Sequence, residues 1–205
     1  MLGFYDYTVV MTYISLSVSM LGMMAAVGGR FRTAIFCLAV SGLCDMFDGK
    51  IARTKKNRTA EEKRFGIQID SLCDVVCFGV FPILICYQIG VRSWHGRAVL
   101  VLFGVASVIR LAYFNVMEEK RQDSTEEARK CYQGLPITSS SVVLPLTYLL
   151  RPCLKGSFYC FLEGTMALTG LLFVCNFEIK KPGNKMLAVL VAVVALAVWK
   201  VLHTI

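Results

Sequence analysis

The sequence predicts an all-α, polytopic membrane helix bundle of about seven transmembrane helices, with its N-terminus in the cytoplasm. Three observations predict it. The 205 residues are 56% hydrophobic and 18% charged, with a mean hydropathy of +0.61, whereas soluble domains average about 45–50% apolar and about 25% charged. The apolar residues gather in blocks of roughly twenty, the length a helix needs to cross a bilayer core. The basic residues lie between those blocks, and unevenly so.

In order, the blocks run from Thr8 to Val27, Thr33 to Ala52, Gly66 to Ile89, Gly96 to Val116, Leu135 to Leu150, Ser157 to Asn176 and Met186 to His203. The first is preceded by no basic n-region and followed by no small-residue cleavage site, so it is expected to remain as a span. The fifth is short and carries Pro136 and Pro145, so a kinked helix buried against its neighbours is expected there. No internal repeat or low-complexity stretch divides the chain. Residues 1–205 read as a single membrane-embedded domain.

The loops set the orientation. The segment from Arg53 to Arg64 also holds Lys55, Lys56, Arg58 and Lys63; the segment from Glu118 to Gly134 adds Lys120, Arg121, Arg129 and Lys130; Lys180, Lys181 and Lys185 precede the last block. The alternate loops offer only Arg30 and Arg32, Arg92 and Arg97, then Arg151 and Lys155. The positive-inside rule places the richer set in the cytoplasm. It also accounts for the net charge of +8 as loops facing an anionic leaflet, and argues against nucleic acid as a partner. The nine cysteines lie mostly in apolar segments without paired metal-site spacing and read as small buried hydrophobes. His95 and His203 stand at span ends with no partner motif, and the charge run from Glu118 to Lys130 reads as a solvated loop.

Four residues break the apolar pattern. Asp45 and Asp48 end the second block, and Asp70 and Asp74 begin the third. Ionised carboxylates at membrane depth cost several kcal/mol, and they normally face a bundle interior or an aqueous cavity. The spacings i,i+3 and i,i+4 put each pair on one helix face. Consecutive helices joined by a loop are expected to be antiparallel neighbours, so all four acids lie at similar depth near the cytoplasmic surface. Clustered carboxylates either protonate or recruit cations. Oxygen ligands select hard ions such as Mg2+ or Mn2+, and four carboxylates suffice to share two of them. Gly49 beside Asp48 leaves room for a ligand to approach, Ala52 keeps that face open, and Arg53 offers a cation for phosphate.

At these positions the chain resembles the CDP-alcohol phosphotransferase family, whose signature is D-x-x-D-G-x-x-A-R, a loop, then G-x-x-x-D-x-x-x-D. Here it is filled by Asp45, Asp48, Gly49, Ala52, Arg53, Gly66, Asp70 and Asp74. Twelve residues separate Arg53 from Gly66, longer than is usual for the family; the additional polar residues lengthen the loop and leave the spacing within each helix intact. The resemblance implies an alcohol displacing CMP from a CDP-linked lipid, with two ions per site. It implies that Asp45 and Asp70 ligate both metals, Asp48 the first and Asp74 the second. Asp74 is then also the proton acceptor, and Gly49, Ala52, Arg53 and Gly66 bind the CDP-lipid.

Within the family, the segments DSLCDVVCFGVFP, RLAYFNV, QGLPITSS and FVCNFEIKKP resemble the phosphatidylserine synthase branch. That likeness implies CDP-diacylglycerol and L-serine as substrates, and Arg110 as a ligand for the serine carboxylate or a lipid phosphate. Asn115 reads as a helix-packing hydrogen bonder. The resemblance further implies a homodimer in the cell membrane with its active site near the cytoplasmic face. Other acceptors, such as glycerol phosphate or inositol phosphate, and an ether-linked isoprenoid donor stay open at this level. A cation transporter is the reading from a different class, though the sequence carries no inverted repeat or broken helix to favour it.

Overall fold

The computed structural model describes residues 3, 7–52, 54, 55, 59–124, 131–180 and 183–204. Helix α1 (Val10–Val27) turns into α2 (Phe31–Ala52). Gly29 makes that turn, with φ at +73°. Arg30 N–H bonds back to Ala25 O at 2.8 Å and Gly29 N–H to Ala26 O at 3.0 Å, the paired bonds that close a helix on a left-handed glycine. Helix α3 (Ala60–Asp74) follows. It starts earlier than the third apolar block because Thr59-Ala60-Glu61-Glu62 is a capping box: Thr59 Oγ1 accepts from Glu62 N–H at 3.1 Å, and Glu62 Oε2 accepts from Thr59 N–H at 3.0 Å. This satisfies two otherwise orphaned donors. Part of the expected loop is therefore helix.

Below Asp74 the helix widens into a π-helical turn, Val75–Val80, before continuing as α4 (Phe81–Ile89). Pro82 supplies a cause. It has no N–H for the carbonyl of Phe78, and Ser140 Oγ donates to that oxygen instead, at 3.0 Å. Helix α5 (Trp94–Ser124) runs back. Next come α6 (Ser140–Leu149), with Pro145 inside it, the short α7 (Arg151–Leu154), α8 (Phe158–Val174) and α9 (Asn184–Thr204).

Among the described residues, five helical stretches are long and apolar enough to cross a membrane: Tyr7–Val27, Glu61–Ile89, Trp94–Arg121, Arg151–Val174 and Met186–His203. They correspond to five of the seven expected spans. The expected second span is a helix of 22 residues, but Arg32, Asp45, Asp48 and Lys50 dilute its apolar character. The expected fifth yields only the shorter apolar helix Ile137–Leu149. The all-α expectation holds, with one short ladder beside the helices. Strands β1 (Cys131–Gln133) and β2 (Glu178–Lys180) pair antiparallel, with Gln133 opposite Glu178.

Long-range contacts show which ends lie together. Tyr7 OH meets Thr54 Oγ1 at 3.1 Å, Gln68 Nε2 donates to Glu119 Oε1 at 3.2 Å, and the β1–β2 pair joins the α5–α6 and α8–α9 connections. At the other end Arg32 donates to Leu202 O at 3.4 Å, and Ser93 Oγ donates to Glu163 Oε1 at 2.8 Å. Around an apolar core, the outer surface is unlike that of a soluble protein. Ser19, Ser41 and Ser107 are fully buried, while Leu21, Leu102 and Leu196 are 62%, 66% and 66% exposed. Apolar surface of that extent is the natural partner of lipid, with small and polar residues drawing helices together inside. The chain is an integral membrane protein.

Close packing depends on glycine at a few crossings. A Cβ on Gly22 would collide with the Phe81 ring and Cys37 Cβ, and one on Gly42 with the Ser141 side chain. Helix α1 packs along α2 and also against α3 and the π-helical turn. The two acid-bearing helices thus share a neighbour. Phe78, Phe81, Phe103, Phe158 and Phe173 fill the centre.

Candidate active site

Helix α2 brings Asp45 and Asp48 to its last turns, and α3 carries Asp70 and Asp74. The antiparallel course sets the pairing: Asp45 meets Asp74 at the deeper level and Asp48 meets Asp70 nearer the loop, each in side-chain contact. One carboxylate oxygen from each of Asp45, Asp70 and Asp74 falls within 4.8 Å of the other two. All four acids are half-buried. Among the described residues, no lysine or arginine forms an ion pair with any of them. Ionised carboxylates in contact repel, so a proton or a cation must lie between them. The donor set is all hard oxygen, which suits Mg2+ or Mn2+ better than a soft metal.

The remaining signature residues fall around this cleft or outside the described part. Gly49 is exposed, and a Cβ there would meet nothing within 4 Å, so the helix surface beside Asp48 is open to a ligand. Gly66 is half-buried, two turns before Asp74 on α3. Ala52 is the last residue of α2. Arg53 lies outside the described residues, as do Lys56, Arg58, Arg129, Lys130 and Lys181 of the basic loops.

Arg110 is buried on α5, with 6% of its surface exposed, and its Nε donates to Leu135 O at 3.1 Å. The register between α3 and α5 places it near the depth of Asp74. Gln68 pairs with Glu119, Ser71 Oγ donates to Asn115 Oδ1 at 2.5 Å, and Gly79 packs on Ser107. Asn115 bonds Ser71 and Gln68, the packing role expected of it. Three of the branch-resembling segments also converge here. Arg110 reaches Leu135, Tyr113 OH donates to Gln133 Oε1 at 2.6 Å, Gly134 N–H donates to Phe177 O at 2.7 Å, and Gln133 lies opposite Glu178.

Some local determinants go beyond the sequence reading. Thr59 is the N-cap of α3; the T-x-x-E spacing was the available signal. The charge run after Glu118 begins as helix, and Glu118 binds Arg121 through both carboxylate oxygens at 2.5–3.2 Å. His95, read as unpartnered, lies 3.3 Å from Glu163 Oε2.

The chain matches the CDP-alcohol phosphatidyltransferase family model over residues 8–199. It is 32% identical over 177 residues to the CDP-diacylglycerol–serine O-phosphatidyltransferase of Helicobacter pylori (strain ATCC 700392 / 26695), covering 82% of this chain and 68% of that protein. It is 36% identical over 113 residues to the Saccharomyces cerevisiae protein of the same name, covering 54% and 40%. A third relative, the archaetidylserine synthase of Methanothermobacter thermautotrophicus, is 28% identical over 143 residues, covering 68% and 56%. With the signature acids gathered in one cleft and the match spanning nearly the whole chain, the protein belongs to the CDP-alcohol phosphatidyltransferase family.

Proposed function

We propose that the chain transfers the phosphatidyl group of CDP-diacylglycerol to the hydroxyl of L-serine, giving phosphatidylserine and CMP. The observation that carries this reading is the convergence of Asp45, Asp70 and Asp74 within 4.8 Å in a chain whose curated relatives are named for that reaction. In the reaction, the serine oxygen forms a bond to the lipid-side phosphorus, the bond from that phosphorus to the CMP oxygen breaks, and CMP leaves with the electron pair. Asp74 takes the hydroxyl proton, since its carboxylate stands at the deep end of the cleft beside Asp45.

Asp45, Asp48, Asp70 and Asp74 would hold two Mg2+ or Mn2+ ions. Bound there, the ions would offset charge on the diphosphate and the leaving group. Gly49, Ala52, Arg53 and Gly66 bind the CDP-lipid, Gly49 by leaving its helix face open. Arg110 binds the serine carboxylate or a lipid phosphate; its depth beside the Asp74 level and its anchoring to Leu135 O support this.

The chain works as one membrane-embedded domain and crosses the bilayer seven times, α2 and the Ile137–Leu149 helix making the additional crossings. The N-terminus and the acidic cleft lie at the cytoplasmic face of the cell membrane, in keeping with the basic loops at that end. A homodimer is the proposed assembly. A second reading concerns only the donor. The likeness to an archaetidylserine synthase favours testing an ether-linked isoprenoid CDP-lipid beside the diacyl form.

The test is CMP release by purified protein in lipid nanodiscs with Mg2+ or Mn2+, CDP-diacylglycerol and a panel of alcohols. Release with serine alone is expected. Release with glycerol phosphate or inositol phosphate and none with serine would overturn the acceptor assignment.

A further inference from the structure

One turn below the acidic cleft lies a second polar cluster that the reaction does not use. Ser15 and Ser19 of α1, Ser41 of α2 and Cys77 of the π-helical turn meet in the interior, at 4%, 0%, 0% and 0% exposure. Ser15 Oγ lies 2.7 Å from Ser41 Oγ and donates to Ser41 O at 3.1 Å. Ser19 Oγ donates to Ser41 Oγ at 2.8 Å, and Ser15 Oγ reaches Cys77 Sγ at 3.9 Å.

The placement matters more than the bonds themselves. Ser41 precedes Asp45 by one helical turn, about 6 Å along the axis, and Cys77 stands just beyond Asp74 in the widened turn. The cluster therefore joins both walls of the cleft directly beneath the carboxylates. It joins them through α1, which packs along α2 and against α3 and the π-helical turn. Alanine would fill the same space without needing partners, since a buried hydroxyl is costly unless it is bonded. Hydroxyl bonds add direction: they fix the rotation and the separation of the helices that carry them.

We propose that Ser15, Ser19 and Ser41 are positioning residues that set the spacing between the two acid-bearing walls, and through it the affinity of the cleft for a divalent cation. This rests on the metal-binding reading above. Groups that orient metal ligands without touching the ion commonly change its affinity by about 10–100-fold when lost. These serines act one step further away, so a smaller factor is expected.

The experiment measures Mn2+ binding to the full chain in nanodiscs through the electron paramagnetic resonance signal of the free ion. Ser41→Ala should weaken binding about three- to tenfold. Ser19→Ala, which keeps the Ser15–Ser41 contact and serves if the first variant fails to fold, should weaken it less. Thr169→Ala removes a buried hydroxyl of α8 that bonds only within its own helix; it should leave Mn2+ affinity unchanged even where stability drops. Wild-type affinity in both serine variants would overturn the proposal. Absence of Mn2+ binding by the unaltered protein would overturn the metal reading itself, and this inference with it.

Discussion

The acidic cleft and the far end of the bundle treat charge in opposite ways. At the far end, charges are given partners. Glu163 of α8 accepts from Ser93 at 2.8 Å and sits 3.3 Å from His95, binding α8 to the start of α5. Arg151 donates to Tyr148 OH at 3.0 Å and stacks near the Tyr148 and Phe158 rings, Arg92 lies over Tyr87, and Arg32 donates to Leu202 O. In the cleft, like is set against like, Asp45 against Asp74 and Asp48 against Asp70, although Lys55 pairs with Glu62 and Arg121 with Glu118 at the same end of the bundle. The first arrangement contributes to holding helices together. The second opposes it, so the fold must hold the acids in place by other means. Clusters of this kind are retained for what they bind, and they commonly reduce stability in the absence of a ligand.

The contrast gives three variants with different signatures. The largest effect is expected for Asp74→Asn. Losing a general base typically costs about 10²–10⁴-fold in rate, and here a metal ligand is lost as well, so CMP release should fall by at least that factor. Its thermal unfolding midpoint in metal-free nanodiscs should equal or exceed that of the unaltered protein, because a repulsive charge has gone. Near-normal turnover would remove Asp74 from its assigned role. Glu163→Ala should do the reverse. It leaves Ser93 without its acceptor and should lower stability by about 1–3 kcal/mol, while turnover per folded molecule stays level. A matching loss of turnover would mean that the two ends are not separable. The smallest effect belongs to Thr59→Ala, which removes one half of the capping box and should cost about 1 kcal/mol. It should also increase amide hydrogen exchange in the first turn of α3 without altering the deeper residues; an unchanged exchange pattern would contradict the cap's assigned role.

The acids were legible in the sequence because their information is local. A spacing of three or four residues fixes the face of a helix, and two successive apolar blocks fix an antiparallel pair, so Asp45, Asp48, Asp70 and Asp74 could be brought together on paper. The capping box at Thr59 and Glu62 is equally local, a T-x-x-E spacing that starts α3 within the polar loop. Other features depend on residues far apart in the chain. Pro82 announces a missing donor, but nothing near it indicates that Ser140 would supply the bond to Phe78. His95 had no partner in sight because Glu163 lies 68 positions further on. The β1–β2 pair could not be read from three-residue strands on separate loops. Seven apolar blocks were visible, yet α2 falls short of the others in apolarity and the Ile137–Leu149 helix in length. In α2 part of the shortfall comes from Asp45 and Asp48, which make the site.

The most direct test is a crystal of the protein grown with Mn2+ and measured at the manganese absorption edge. The account predicts anomalous peaks between α2 and α3, with carboxylate oxygens of Asp45, Asp48, Asp70 and Asp74 about 2.0–2.3 Å from the ions, and loss of those peaks in Asp70→Asn. Manganese bound elsewhere, or a cleft that leaves these four side chains without any ion at saturating Mn2+, would contradict it.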